Sequence, residues 1–206
     1  SFDIGARVVE PALWALGVRR LTWLAITHGD VDHAGGAASV MRDLRPREVW
    51  EGIPVPRDPR LQALRSAAHA EGVVWRRLLS GHDVEVGSAR LEVISPPTPD
   101  WERPDVRNDD SLVMRLSFGR VCLLLTGDIG EAVERSLSLE SDARLRLLTA
   151  PHHGSRTSSS QALTEGWRPH AVFVSVGRGN TFGHPAAEVL ARYAAVGAEV
   201  FRTDID

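Results

Sequence analysis

An apolar run, Leu21 to Ile26, ends in the segment Thr27-His28-Gly29-Asp30-Val31-Asp32-His33-Ala34-Gly35-Gly36. The run reads as a buried strand. Behind it stand four side chains able to bind a metal, His28, Asp30, Asp32 and His33, all within six positions. A strand that stops in a burst of His and Asp constrains the fold, because it sets ligands for a hard or borderline divalent cation at a sheet edge. The competing reading is a polar loop whose acids cap the next helix. It is disfavoured because the strand-then-ligand pattern returns. Val121–Leu125 runs into Thr126-Gly127-Asp128, Leu145–Thr149 into His152 and His153, and Ala171–Val176 into a loop holding His184. Ligands gather outside strand ends in layered α/β folds, so these four loops predict one functional rim.

The rest of the chain alternates in the same way. Val8, Val9, Ala12, Leu13 and Leu16 recur at helical spacing until Gly17. Further helices are expected over Ala34–Leu44, Leu61–Glu71, Glu131–Leu139 and Pro185–Val196. Short strands are expected at Glu48–Glu51, Val73–Arg76 and Glu199–Arg202. Val84–Ile94 reads as a hairpin turning near Gly87 and Ser88, and Ser111–Asp128 as another turning at Gly119. Val121–Leu125 is apolar throughout, which predicts a central strand. Pro96–Asp110 is a long loop rich in Pro and charge, a length that compact domains keep for functional or disordered segments. The fold class that fits is α/β, a sandwich of two mixed β-sheets with helices outside.

Composition bounds the rest. With 206 residues, 43% of them hydrophobic, the chain is long enough for one large domain with a sizeable core. A net charge of −3 excludes a global basic field that would advertise nucleic acid, though it leaves a local positive groove open. Every basic residue is Arg, whose forked donors suit phosphate. Cys122 is the single cysteine, so neither an intrachain disulfide nor a Cys-based zinc site is possible, and its apolar neighbours mark it as core. No run is long and apolar enough for a membrane span, and no signal peptide is legible. The chain opens on Ser-Phe-Asp-Ile-Gly without Met and stops at Arg-Thr-Asp-Ile-Asp, so a fragment of something longer is expected.

The ligand spacing suits two metals. Along an extended loop His28 and Asp30 point the same way and share one cation, while Asp32 and His33 face a second. Asp128 bridges the two or caps the following helix, or does both. Neighbouring side chains rarely serve one cation, so of the adjacent histidines His153 is the expected ligand and His152 the residue facing substrate or supporting the ligands. His184 either joins the rim or opens the last helix. Asn108, Asp109 and Asp110 precede a strand and either reach the rim or form a turn. Ser155 and Arg156, with the backbone N–H groups of the Ser-rich segment, would suit a phosphate, as would Arg178 and Asn180. His69, His82 and His170 read as surface or packing residues.

In order and interval, His-x-Asp-x-Asp-His-x-Gly-Gly, Thr-Gly-Asp and His-His-Gly-Ser resemble the metallo-β-lactamase fold superfamily. Asp30 stands where that superfamily usually has a second His. With NDDSLVMRLSFGRVCLLLTGD, APHHGSRTSSS and VGRGNTFGHP, this variant resembles the C-terminal domain of ComEC-type competence proteins of bacterial DNA uptake. The resemblance covers nearly the whole chain. It implies an αββα four-layer sandwich over residues 1–206 as a single domain, lacking the family's N-terminal hairpin, from a longer membrane protein. It implies one or two divalent cations held by His28, Asp30, Asp32, His33, Asp128 and His153, and no organic cofactor. The chemistry implied is hydrolysis of DNA phosphodiesters, with Asp32 or Asp128 accepting the proton of the attacking water. The implied partners are single-stranded or non-imported DNA and a membrane channel region of the same protein, with this domain on the extracytoplasmic side. Asn108 or Asp109 stands where zinc hydrolases of the family carry a third-motif His. With Asp30 this makes the site oxygen-rich, which favours Mn²⁺ or Mg²⁺ over Zn²⁺ without excluding it. Two alternatives stay open: a weakly catalytic DNA-binding or docking domain of a channel, and a free-standing hydrolase of small substrates.

Overall fold

Parallel strands, most of them preceded by a helix, dominate the computed structural model, which describes residues 2–97 and 101–205. These residues fall into two compact units. The first comprises the described residues of Ser1–Leu79 and Thr98–Leu112, the second those of Ser80–Pro97 and Val113–Asp206.

In the first unit β1 (Trp23–Ile26), β2 (Glu48–Glu51) and β3 (Val74–Arg77) form a three-stranded sheet in that order, parallel at both pairings. A π-helical turn, Gly5–Val9, leads into α1 (Glu10–Ala15). The helix expected over Ala34–Leu44 is instead two, α2 (Val31–Ala34) and α3 (Ala37–Leu44). Gly35 and Gly36 separate them, and at Gly36 the N-terminal segment packs so closely that an added Cβ would meet Gly5 N at 2.7 Å. Next comes α4 (Pro59–Ala70), whose N-cap Asp58 accepts a hydrogen bond from Leu61 N at 2.8 Å. Ile26, Ala37, Met41, Val49, Leu61 and Leu64 are among the residues of this unit's core.

The second unit is built on a seven-stranded mixed sheet ordered β10-β9-β8-β7-β6-β5-β4. Its antiparallel half is the two expected hairpins, β4 (Asp83–Val86) with β5 (Ala89–Ser95), and β6 (Val113–Phe118) with β7 (Val121–Leu125). Its parallel half continues from β7 through β8 (Leu145–Thr149) and β9 (Ala171–Val174) to β10 (Glu199–Arg202). The apolar β7 occupies the centre of the order, as its composition predicts. Between them run α5 (Glu131–Glu134), α6 (Gln161–Trp167) and α7 (Ala187–Ala195). The core of this unit includes Leu124, Leu148, Trp167, Val189, Tyr193 and Cys122, so the lone cysteine is indeed packed away. Helix α5 stops well short of Leu139. Glu134 turns its carboxylate inward to accept Ser159 N at 2.6 Å and Ser160 N at 2.7 Å, and Ser136 Oγ donates to Val133 O. Part of the long Pro96–Asp110 loop, residues 98–100, lies outside the described residues, as do the two chain ends, Ser1 and Asp206.

Candidate metal centre

Each unit carries its own half of the expected ligand set. In the first, β1 delivers Thr27 and His28 at its C-terminal end. Asp30 is the extended N-cap of α2, so Asp32 and His33 lie within that helical turn. The Thr27 hydroxyl serves both imidazoles, with His28 Nδ1 at 3.1 Å and His33 Nδ1 at 3.3 Å. Ser111 Oγ adds a second contact to His28 Nδ1 at 3.3 Å, and Leu112 N donates to Thr27 O at 3.0 Å. The two rings lie 4.2 Å apart. With Nδ1 held by hydroxyls, Nε2 is the nitrogen presented to a carboxylate or cation. His28 Nε2 stands 3.3 Å from Asp30 Oδ2 and His33 Nε2 3.9 Å from Asp32 Oδ2. The His28 side chain is buried, whereas those of Asp30 and Asp32 are about half exposed, at 48% and 62%. Exposed carboxylates against a buried His28 and a half-buried His33 leave room for a cation to enter from solvent.

In the second unit the parallel run β7-β8-β9 brings three C-terminal ends to one edge. Asp128 follows β7, His152 and His153 follow β8, and Ser175 follows β9. Thr126 and Thr149 tie the first two together: Thr126 Oγ1 donates to Thr149 O at 2.8 Å, and Thr126 N donates to Thr149 Oγ1 at 3.1 Å. His152 and His153 both take left-handed backbone, φ 47° and 55°, before Gly154 at φ 78°. Such a run costs on the order of 1–2 kcal/mol for each residue with a Cβ. It reverses the chain within one turn. His153 Nδ1 donates to Ser175 O at 2.7 Å, and its Nε2 stands 3.6 Å from Asp128 Oδ2. Asp128 is buried, and the N-cap of α5 is Gly130, so Asp128 is not that helix's cap. The ring of His152 lies edge-on to both His153, at 6.4 Å, and His184, at 5.9 Å. Burial lowers the pKa of His184, and its two histidine neighbours add to the effect.

The donor set fits a divalent cation. Each half pairs carboxylate oxygens with imidazoles whose second nitrogen is braced by a hydroxyl or a carbonyl, the support that metal-ligating His requires. The residues expected to bind phosphate fare differently. The Ser155 and Ser158 backbone N–H groups are bonded to His152 O and Ser155 O, and the Ser155 hydroxyl to Thr157. With the Glu134 bonds to Ser159 N and Ser160 N, most backbone N–H groups of the Ser-rich segment are engaged within the fold. Arg156 is largely exposed and faces Glu188 at 4.0 Å. Asn180 spends its amide on the loop, donating to His184 O at 2.9 Å and accepting from His184 N at 3.0 Å. His184 does not open the last helix, since α7 begins at Ala187 with Ala186 as N-cap. Asn108 and Asp109 belong to a short 3₁₀ turn. Their neighbour Asp110 is buried and holds Arg103 through two hydrogen bonds, at 2.6 and 2.8 Å. Thr27, Ser111, Thr126, Thr149 and Ser175 support these side chains without standing out in the sequence. The one available signal was a hydroxyl residue at the end of an otherwise apolar strand, seen at Thr27, Thr126 and Thr149.

Comparison with known proteins matches the Metallo-beta-lactamase superfamily model over residues 2–178. Among curated proteins, the chain is 28% identical over 204 residues to ComE operon protein 3 of Bacillus subtilis, covering 98% of this chain and 26% of that one. It is 32% identical over 200 residues to Competence protein ComA of Neisseria gonorrhoeae, covering 96% and 26%. It is 28% identical over 170 residues to Recombination protein 2 of Haemophilus influenzae, covering 82% and 19%. The chain therefore spans about a quarter of the length of the first two and less of the third. Among solved structures, YhfI of Bacillus subtilis, a metallo-beta-lactamase fold protein, superposes with a TM-score of 0.57 at 10% identity, covering 98% of this chain and 82% of that one. CmlA, a diiron beta-hydroxylase from Streptomyces venezuelae, gives 0.55 at 15%, covering 89% and 44%. The fold is the α/β metallo-β-lactamase fold, two sheets flanked by helices.

Proposed function

Because the chain belongs to the metallo-beta-lactamase superfamily, we propose that it is a metal-dependent hydrolase acting on DNA phosphodiesters. The observation that carries this reading is the repeated pairing of a carboxylate with an imidazole Nε2 whose other nitrogen is braced. It occurs at His28/Asp30, at His33/Asp32 and at His153/Asp128. In this reading His28, Asp30, Asp32, His33, Asp128 and His153 hold one or two divalent cations, Mn²⁺ or Zn²⁺, with Mg²⁺ as a further candidate for so oxygen-rich a set. When bound, such cations lower the pKa of water to roughly 7 and offset charge on a phosphoryl oxygen. The chain's own part is to orient and to move protons. Thr27, Ser111 and the Ser175 carbonyl fix the imidazole planes, and Asp32 or Asp128 accepts the proton of the attacking water. His152 and His184 face the substrate, and Arg156, free to swing, reaches a non-reacting phosphate oxygen.

The names of the similar proteins, two of them called competence or recombination proteins, support a role in DNA uptake and transformation. Their lengths support reading residues 1–206 as one domain of a longer bacterial membrane protein, with the channel region elsewhere in that protein. Among the described residues no helix is long and apolar enough to cross a membrane, and we place the domain on the extracytoplasmic side. Incubation of the purified chain with single- and double-stranded DNA in Mn²⁺, Mg²⁺ or Zn²⁺ tests the activity. Cleavage is expected with at least one cation and is lost in Asp32→Ala with His33→Ala. Cleavage that survives that double substitution overturns the proposal. A weakly catalytic DNA-binding domain is the second reading, favoured by the absence of an imidazole at Asn108 or Asp109. Elemental analysis separates the two, since two cations per chain supports catalysis and none after mild dialysis supports binding alone.

A further inference from the structure

In the first unit, the edge of the three-stranded sheet opposite His28 carries a concavity of about 470 Å³. Its charged lining is Arg20, Arg45, Arg47 and Glu71, over a floor that includes Met41, Pro46 and Val73. Both pairings of the sheet are parallel, so the N-terminal ends of β1, β2 and β3 share this edge while the ligand loop leaves from the other. A strand of four residues sets the two edges roughly 13 Å apart before their loops are counted.

Backbone hydrogen bonds stitch the three contributing segments together. Leu21 N donates to Leu44 O at 2.9 Å, Arg47 N to Thr22 O at 3.0 Å, and Val74 N to Arg47 O at 3.1 Å. Arg45 ends α3 in a left-handed conformation, φ 43°, a region that residues with a Cβ visit rarely. The concavity is therefore held by the sheet and its helix ends. It does not depend on one loose loop.

The three arginines are exposed, and among the described residues none has a carboxylate within salt-bridge distance. Other arginines of the same unit are consumed by the chain's own acids. Arg42 pairs with Asp43 at 2.7 Å, Arg65 with Glu51 at 2.6 Å, and Arg76 with Glu48 at 3.3 Å. Three guanidinium forks around one acid, in a chain whose net charge is −3, are a local reversal of sign. A single carboxylate needs one fork, whereas a row of phosphate groups uses several, each in the two-pronged geometry that Arg offers.

We propose that this concavity is an anion site for the phosphodiester backbone of a nucleic-acid strand, distinct from the metal ligands. It rests on reading DNA as the substrate, and it would hold the strand away from the cleavage edge.

The test reads binding without cleavage. A fluorescein-labelled single strand of about 20 nucleotides is titrated with the 206-residue chain in EDTA, by anisotropy, over about 50 to 200 mM salt. The triple variant Arg20→Gln, Arg45→Gln, Arg47→Gln is expected to bind about tenfold or more weakly at the low end. Its salt slope is expected to fall by roughly 2, near the 0.7 per lost contact found for single strands. Inorganic pyrophosphate is expected to compete with the strand on the wild-type chain and to lose that effect in the variant. If the triple variant melts early, Arg47→Glu alone is used, and it is expected to weaken binding more than Arg47→Gln. Affinity and salt slope equal to wild type overturn the proposal. So does a concavity that takes pyrophosphate while the variants bind the strand normally, because the ligand is then a small phosphate. A chain that binds through these arginines yet never cuts DNA with any cation removes the nuclease reading and leaves this site standing. A chain that cuts but ignores the arginine changes does the reverse.

Discussion

Thr27 is the residue on which the first half of the candidate centre turns. One hydroxyl lies within 3.3 Å of the Nδ1 atoms of both His28 and His33. Removing it takes a hydroxyl from the Nδ1 of each ring and leaves His28 with the Ser111 Oγ contact at 3.3 Å, which weakens what fixes the basic nitrogen. Thr27→Val keeps the β-branched shape that suits a strand end. It is expected to lower divalent-metal affinity by roughly 10- to 100-fold, measured by competition with a chromophoric chelator, while the melting temperature of the metal-free chain changes little. Unchanged affinity would show that the Thr27 hydroxyl does not position the rings. The candidate ligands stand out in the sequence because His and Asp clustered at a strand end have few other uses. Thr27 and Ser111 do not, because a hydroxyl acquires its role only when a ring turns toward it. Ser155 and Asn180 have the chemistry for phosphate, and the structure adds their local partners, Thr157 for the Ser155 hydroxyl and the His184 backbone for the Asn180 amide.

Among the elements, the N-terminal helix shows where close approach decides stability. A Cβ on Gly5 would fall 2.2 Å from Gly36 O and from Ser39 Oγ, so neither side of this crossing can accept a side chain. Gly5→Ala is expected to cost about 1–3 kcal/mol, the usual penalty of overpacking, read as a lower urea midpoint with an unchanged slope. A midpoint equal to wild type would mean that the segment is not docked. The same helix buries Glu10. Burial raises its pKa, and the neighbouring Asp43 carboxylate pushes in the same direction. A carboxyl whose folded pKa is raised stabilises the fold fully below its unfolded value near 4.5 and loses that contribution as pH rises through the folded value. Glu10→Gln, permanently neutral, should therefore gain stability relative to wild type as pH is raised from about 4.5 to neutrality in urea titrations. A constant difference across that range would rule the titration out. Neither device was visible in the sequence. Helical spacing carries the expected Ala34–Leu44 helix straight through Gly35 and Gly36, and nothing in the sequence marks Glu10. The strands were legible almost to the residue at Glu48–Glu51, Leu145–Thr149 and Glu199–Arg202, because alternation and turn residues bound them locally. Helix ends slipped where the deciding partner, Gly5 for α2 and α3 or Ser159 for α5, is distant in sequence.

For the whole molecule, the proposed hydrolase needs the folded chain to bind a cation, and linkage gives a direct measure of it. A cation that binds only the folded chain stabilises it by about 2.7 kcal/mol at a hundred times its dissociation constant. For a chain of this length that is a rise in melting temperature of roughly 5–10 °C. His33→Ala in the first unit and Asp128→Ala in the second are each expected to lower that rise, because each removes one member of a carboxylate–imidazole pair. Hydrogen exchange locates the effect within each unit. Mn²⁺ should slow exchange around His28 to Ala34 in the first and around Gly127 to His153 in the second. A melting temperature that no divalent cation moves, or a rise that neither substitution lowers, would remove these residues as ligands and the hydrolytic mechanism with them.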